Sequence, residues 1–202
     1  MSNNQILEHT TQLKIINVSI DLFSKNGYKK TSIKDISEKS IVSKSLIFHY
    51  FKSKKNLYLY LINYVLDIAN NEVLFNIPSL NKDLFQVLEI IQKHKISFYL
   101  KYPNYFEFLD SVRVEENLDV IEDISKILDS KKTIDMNYLF KNIDQSNLRN
   151  EVSIEEMINL ITWITEGYVK TLKRDKKTIE MNTFNEFNRY MEIIKESILK
   201  EI

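Results

Sequence analysis

The sequence is short of the residues on which many protein classes depend. It has no cysteine, which excludes disulfides, cysteine-based zinc sites and thiol nucleophiles. Its three histidines include no H-E-x-x-H pair, so it offers little basis for a metal site. Two glycines and two prolines in 202 residues are too few turn formers for a hairpin-rich fold. We therefore expect an all-α protein that holds no metal and no cofactor.

Long apolar runs are also missing. No stretch of about 18 apolar residues is free of charge, and the polar start MSNNQ lacks the basic-then-apolar layout of a secretory signal. We expect a cytoplasmic protein with no membrane partner. The adjacent carboxylates Glu115–Glu116 and Glu155–Glu156 point apart on a helix, which is typical of solvated charge, so the sequence does not predict an enzyme.

The formal net charge of zero conceals an asymmetry along the chain. Residues 1–66 hold ten lysines against four carboxylates, a net charge of +6, and the remaining 136 residues carry −6. The first arginine is Arg113. A basic amino-terminal head predicts an anionic partner, either nucleic acid or an anionic membrane surface.

The apolar periodicity predicts about nine helices, of which the second and third are short. Helix 1 is expected over about 8–25, with Gly27 as a left-handed cap. Ser32 and Ser43 are expected to cap two short helices across a tight turn, and Ser53 to cap a longer one. Two successive short helices of this kind fit a helix-turn-helix, whose second helix enters the major groove of DNA.

Among the later helices, the last two have the clearest sequence boundaries. The S/T-x-x-E capping boxes at Ser153 and Thr183 are expected to begin the last two helices. A helix running from about 118 into the 140s is expected to be broken or frayed near Ser130 to Thr133. These elements make up a helical body behind the basic head.

Lysine follows the capping serine at three successive helix starts, at Lys34, Lys44 and Lys54. Lysine is unfavourable at the positive end of a helix dipole unless a phosphate binds there. The alternative is a solvated basic face in a lysine-rich chain. No single helix face can bury four consecutive aromatics, so part of Phe48-His49-Tyr50-Phe51 must face outward. For His49, a half-buried ring bonded to a neighbour is as plausible as a contact with DNA.

Three stretches of the head resemble the amino-terminal domain of TetR-type transcriptional regulators. They are IINVSIDLFSKNGY at 15–28, TSIKDI at 31–36 and VSKSLIFHYFKSK at 42–54. The chain departs from the family pattern at Ser40-Ile41, where Ala-Gly is usual, and at Ser45, where Gly is usual. The resemblance covers about residues 10 to 60.

The resemblance implies a helix-turn-helix DNA-binding domain at 1–52 and a helical regulatory and dimerisation domain at 53–202. It places Lys44, Ser45 and Leu46 against base edges, with Leu46 positioned to touch a thymine methyl. The full set of predicted DNA-binding residues is Ser32, Lys34, Ser43, Lys44, Ser45, Leu46, Phe48, His49, Tyr50 and Lys54.

The body is rich in aromatic side chains, which suit an apolar organic ligand. Proteins of the TetR type enclose an inducer in this region, although aromatics at helical spacing are more often plain core. The predicted pocket residues are Phe98, Tyr102, Tyr105, Phe106, Leu109, Tyr138, Trp163 and Gly167.

The last helix carries a broader apolar surface than one buried stripe requires. The resemblance implies that two copies pair through the last two helices, and the alternative is a wide core-facing helix in a monomer. The predicted dimer residues are Ile161, Tyr168, Phe184, Phe187, Tyr190, Met191 and Ile194.

Together these patterns predict a DNA-binding transcriptional regulator, a repressor that binds a palindromic operator as a homodimer and is released by a small apolar or aromatic effector. The alternative is a sequence-indifferent basic helical protein that binds DNA or a membrane surface and has no effector.

Overall fold

The structure is a computed structural model that describes residues 3–73, 84–140, 153–175 and 181–198. These ranges contain nine α-helices and no strand, which confirms the all-α prediction. The helices are α1 Asn3–Lys30, α2 Ile33–Ser40, α3 Lys44–Phe51, α4 Lys54–Val73, α5 Leu84–Lys101, α6 Pro103–Arg113, α7 Ile121–Phe140, α8 Ile154–Arg174 and α9 Met181–Ile198. None of the helices in the described ranges has the length and apolar character needed to cross a membrane.

The chain divides into two compact units. Unit 1 comprises Met1–Ile77 and Lys93–Asn137, and unit 2 comprises Pro78–Gln92 and Tyr138–Ile202. Helix α5 therefore gives its first half to unit 2 and its second half to unit 1. The predicted boundary after residue 52 falls within unit 1 and remains a prediction.

The core of unit 1 lies between α1, α4 and α6. Ile16, Ile20 and Phe23 recur every three to four residues, so they share the buried face of α1. Leu61 of α4 and Phe108 of α6 are fully buried in the same cluster. Burial of side chains of this size contributes about 1.5–3 kcal/mol each. This core supports the two short helices α2 and α3, which pack on α1 and α4.

The three predicted serine caps of the head are confirmed. The Ser32 hydroxyl accepts the Asp35 backbone N–H at 3.2 Å, and the Asp35 carboxylate accepts the Ser32 N–H at 3.0 Å. The Ser43 hydroxyl accepts the Leu46 N–H at 3.3 Å. The Ser53 hydroxyl accepts the Asn56 N–H at 3.0 Å. Each cap satisfies a backbone donor that the first helical turn leaves without a partner.

The predicted start of helix 1 near residue 8 is wrong, whereas its predicted end agrees with the interruption of the helix at Gly27. Helix α1 begins at Asn3 and continues to Lys30 through a kink at Gly27. Gly27 has φ 73° and ψ 174°, so it combines a positive φ with an extended ψ and is not in the left-handed helical region. A positive φ still requires glycine there, because a side chain would strain the backbone.

Among the later helices, the Ser153 capping box is confirmed by reciprocal bonds with Glu156. The predicted start at Thr183 is wrong, because α9 begins at Met181 and Thr183 lies inside it. The predicted break near Ser130 to Thr133 is also wrong, since α7 is continuous. Lys131 forms an ion pair with Asp67 of α4, a tertiary contact that helps to hold this part of α7 in place.

Candidate nucleic-acid interface

Helix α3 has one face in the core and one face exposed over its whole length. Ile47 and Phe51 are buried. Ser45, Phe48 and His49 are exposed, and so is Lys52, which follows the helix. Spacings of three and four residues place Ser45, Phe48 and His49 on one stripe, whereas Lys52, with φ 65°, has left the helical geometry. A two-turn helix that is supported behind and open in front has the geometry of a helix that enters a DNA groove.

Ser37 and Ile41 have opposite effects on the turn between α2 and α3. Ser37 stabilises the turn, because its backbone carbonyl accepts the Val42 N–H at 3.2 Å and its hydroxyl donates to the Val42 carbonyl at 2.7 Å. Ile41 is strained, because φ 56° and ψ 39° put a β-branched residue in the left-handed region. The Ile41 side chain is 93% exposed and gains almost no packing in return. The chain thus keeps the tight turn at the expense of a strained residue.

The lysines of the head divide into paired and unpaired groups. Lys25 and Lys39 both bind Asp21, and these two bonds lower the pKa of the Asp21 carboxyl. Lys44 is the first residue of α3. Lys29, Lys30 and Lys44 are all exposed, and none of them has a carboxylate partner within the described part of the chain. These free cations lie in the helix-turn-helix and in the last turn of α1, where they are available to an anionic partner.

Lys54 has an internal position instead. Its ammonium donates to the Tyr28 and Thr31 carbonyls, each at 3.0 Å, and lies 4.2 Å from the centre of the Tyr28 ring. Burial lowers its pKa from the ordinary lysine value. The side chain therefore ties the start of α4 to the end of α1, and two of its three donors are in use. Its predicted contact with phosphate stays a prediction.

The segment after α6 joins the same junction. The Glu115 carboxylate accepts the Tyr28 N–H at 2.9 Å and the Asn117 N–H at 3.0 Å. Lys55, beside Lys54, pairs with Asp123 of α7 at 2.6 Å. Sequence reasoning took Glu115 for solvated charge, and no local signal could have identified it, because its partner is 87 residues away.

The other predicted DNA-binding residues are placed as follows. The Ser32 and Ser43 hydroxyls are engaged as helix caps. Leu46 and Tyr50 are partly buried and pack on the core cluster. Lys34 is exposed and lies 3.8 Å from Glu38, a loose surface pair. The exposed stripe of α3 thus gathers Ser45, Phe48 and His49 from the predicted set, with Lys44 beside it.

Part of the predicted ligand pocket belongs to a row of aromatic rings in unit 1. We call this the aromatic row; its members in order are Phe51, Tyr60, Tyr64, Tyr105, Tyr102 and Phe98. Neighbouring ring centres are 5.2 to 6.3 Å apart, and the Tyr102 and Tyr105 rings are stacked at 5.3 Å. Burial raises the pKa of Tyr105 to about 12. The row extends without a gap from the last residue of α3 to α5 and α6.

The remaining pocket predictions are distributed over both units. Phe106 and Leu109 are partly buried on α6. Trp163 and Gly167 lie on α8 of unit 2, where Trp163 is 68% exposed and no atom comes within 4 Å of a Cβ placed on Gly167. The side chain of Tyr138 lies outside the described residues. The pocket as a whole remains a prediction.

The predicted dimer residues lie on α8 and α9. Ile161 and Phe187 are buried in their own chain. The Tyr168 ring contacts those of Phe187 and Tyr190, and its hydroxyl donates to Glu186 at 3.2 Å. Met191 and Ile194 are partly buried, and the side chain of Phe184 lies outside the described residues. Among the described side chains of these helices, the large apolar ones that are exposed are Leu160, Trp163, Tyr190 and Ile193.

Comparison with known proteins agrees with this geometry. Residues 15–61 match the family model described as bacterial regulatory proteins, tetR family. A relative from Staphylococcus aureus, named the biofilm operon icaADBC HTH-type negative transcriptional regulator IcaR, is 28% identical over 130 residues, or 59% of this chain and 70% of that protein.

Solved structures share the fold of the whole chain. NalD of Pseudomonas aeruginosa, described as the secondary repressor of the MexAB-OprM multidrug efflux pump, aligns with a TM-score of 0.72 over 96% of this chain and 100% of its own, at 13% identity. A regulator from Saccharomonospora viridis in complex with choline aligns with a TM-score of 0.67 over 96% and 99%, at 15% identity. At these identities the likeness concerns the fold alone.

Proposed function

The chain is a TetR-family DNA-binding transcriptional regulator, and we propose that it is a repressor that binds a palindromic operator as a homodimer and is released by a small apolar or aromatic effector. The observation that carries the proposal is the exposed stripe of α3, flanked by lysines that no carboxylate neutralises within the described residues. Repression is favoured because the relative IcaR is named as a negative transcriptional regulator.

Binding to a palindrome requires two heads, since one two-turn helix reads few base pairs and twofold dimers read two half-sites. The exposed apolar side chains of α8 and α9 support pairing through these helices. Leu160, Trp163 and Gly167 follow one another at spacings of three and four, so they share a face of α8, and Tyr190 and Ile193 are spaced likewise on α9. A glycine on such a face allows a second helix to approach closely.

Release by an effector requires a link between the body and the head. The aromatic row is such a link within unit 1. Three of its rings, Phe98, Tyr102 and Tyr105, belong to the predicted pocket, and its first ring is Phe51 of α3. If the aromatic row has two arrangements, an effector that binds these tyrosines more tightly in one of them shifts the population toward that arrangement. Because Phe51 belongs to the row, this shift would also change the position of α3.

The test is selection of bound sequences from a random duplex pool with the purified full chain, followed by a salt titration on the selected duplex. We expect an inverted repeat that is bound about a thousandfold or more above random DNA. Enrichment of no inverted repeat, with equal binding to random duplexes or anionic vesicles, would favour the sequence-indifferent alternative.

The effector part is tested separately by screening small aromatic and apolar compounds for release of the selected duplex. A hit is expected to act on the parent chain and to lose at least part of its effect in Tyr102→Ala. A compound that releases both chains equally does not act through the aromatic row.

A further inference from the structure

The exposed surface of α3 offers few groups that read a base by hydrogen bonds. Its sequence is KSLIFHYF, with no arginine, asparagine, glutamine, aspartate or glutamate. The side chains that most often recognise guanine, adenine and cytosine in a bidentate or acceptor mode are therefore missing, apart from Lys44. What the helix presents instead is lysine, serine, histidine and one apolar ring.

That ring is Phe48, and its surroundings set it apart from the other aromatics of α3. His49, Tyr50 and Phe51 each contact another ring, whereas Phe48 has no ring contact among the described residues. Its side chain is 44% exposed and shares the exposed stripe of α3 with Ser45 and His49. Leu46, the other apolar candidate for a base contact, is partly buried against the core.

The major groove presents one apolar group to such a ring, the C5 methyl of thymine. We propose that Phe48 is a specificity-determining residue of this chain, packing on a thymine methyl at a fixed position of each operator half-site. The inference rests on the proposed function and adds the base that the helix selects. It replaces Leu46 by Phe48 as the side chain that contacts the methyl group.

The experiment uses the full chain and the duplex recovered by selection. Each thymine is replaced in turn by uracil, which pairs identically and lacks only the C5 methyl, and the affinity is measured at fixed salt. We expect one thymine position in each half-site at which replacement by uracil lowers the affinity about fourfold, because burial of one methyl-sized group contributes about 0.8 kcal/mol. Replacing the thymines of both half-sites is expected to lower the affinity about tenfold or more.

The variant Phe48→Ala is expected to bind the thymine and uracil duplexes equally, and Phe48→Leu to keep part of the preference. His49→Ala is the matched control: it is the next exposed residue, and it is expected to lower the affinity for both duplexes while keeping their ratio. Thermal unfolding of each variant checks that the head is folded, which we expect because both side chains are exposed.

The outcomes separate this inference from the proposed function. If an inverted repeat is selected and no thymine position responds to uracil, or if Phe48→Ala retains the response, the role of Phe48 is refuted and the regulator remains. If no inverted repeat is selected, the proposed function fails first and the inference fails with it.

Discussion

The amino-terminal helices α1–α4 and the carboxyl-terminal helices α8–α9 use apolar surface in different ways. In α1–α4 the large exposed apolar side chains are isolated: Ile41 in the turn, Phe48 on α3 and Tyr60 on α4. On α8–α9 four such side chains, Leu160, Trp163, Tyr190 and Ile193, are concentrated on two helices. Clustered exposed apolar surface marks an interaction site, whereas single exposed side chains are ordinary.

The two regions also differ in how their helices are joined. The head is tied by polar contacts to backbone: Lys54 binds two carbonyls, Glu115 binds an N–H, and the Thr31 hydroxyl donates to the Leu22 and Gly27 carbonyls. In unit 2 the Gln92 amide donates to the Thr165 hydroxyl at 3.2 Å. The contrast fits the proposal that two copies pair through α8 and α9, while the head is held by contacts within its own chain.

The largest expected effect comes from Trp163→Glu. If α8 and α9 form the dimer interface, a charge at the centre of the apolar face should weaken dimerisation by about 2–4 kcal/mol, because buried aromatic side chains dominate interface energies. Sedimentation velocity over a concentration series measures the change. Thr162→Glu adds the same charge at a neighbouring exposed position that faces elsewhere and should leave the dimer intact; equal dissociation in both variants would contradict this interface.

The second-largest effect is expected for Lys54→Met, which tests whether Lys54 stabilises the fold while the exposed lysines of the head do not. Removing two charge-assisted bonds to partly buried carbonyls should lower the free energy of unfolding by about 1–3 kcal/mol in chemical denaturation. Lys44→Met is the matched control, with an unpaired and exposed ammonium. It should leave stability nearly unchanged and reduce the salt dependence of DNA binding by about one phosphate contact. A stable Lys54→Met protein with a reduced salt slope would instead place Lys54 on DNA.

Ile41→Gly is expected to stabilise the head by about 0.5–1 kcal/mol. The left-handed conformation destabilises the folded state by about 1–2 kcal/mol when a β-branched residue occupies it, and glycine removes this strain. Glycine also gives the unfolded chain more conformational freedom, which offsets part of the gain. Thermal unfolding measures the gain. Ile41→Ala keeps a side chain in the left-handed region and should gain less; an equal gain in both variants would point to loss of the exposed side chain as the cause.

The smallest effect is a pH dependence shared by two matched helix caps, Asp35 in the head and Glu156 on α8. Bonds from Ser32 and Ser153 lower the pKa of these carboxyls below their ordinary values of 3.8 and 4.5. The stabilisation is therefore present above those values and is lost as the pH falls through each folded-state pKa. We expect Asp35→Ala and Glu156→Ala to be destabilised at pH 7 and to match the parent chain at pH 2.5 in urea titrations; a difference that persists at pH 2.5 would contradict this origin.

Much of the head could be predicted because its signals are local. A capping serine and the residue three positions later lie within one helical turn, so the starts of α2, α3 and α4 followed from adjacent residues. Thr183 misled the same rule because an S/T-x-x-E pattern also occurs inside helices, and α9 had already begun at Met181. The residues near Ser130 to Thr133 did not reveal that α7 is unbroken, nor that Lys131 pairs with Asp67 of another helix.

The candidate site follows the same division. Periodicity alone showed that Phe48-His49-Tyr50-Phe51 could not all be buried, but which of them faces outward depends on where the core lies. Phe51 turned inward and Phe48 outward because α4 contacts only one side of α3. For the same reason Leu46, predicted to touch a base, lies partly against the core.

The sequence by itself determined the helical class, the basic head and the caps of its short helices, since composition and contacts within one turn need no knowledge of the rest of the chain. Only the tertiary structure decided that Lys54 and Glu115 serve the junction near Tyr28, and that Trp163 faces outward. Those roles arise from groups distant in sequence that meet in space, and residue spacing carries no information about such meetings.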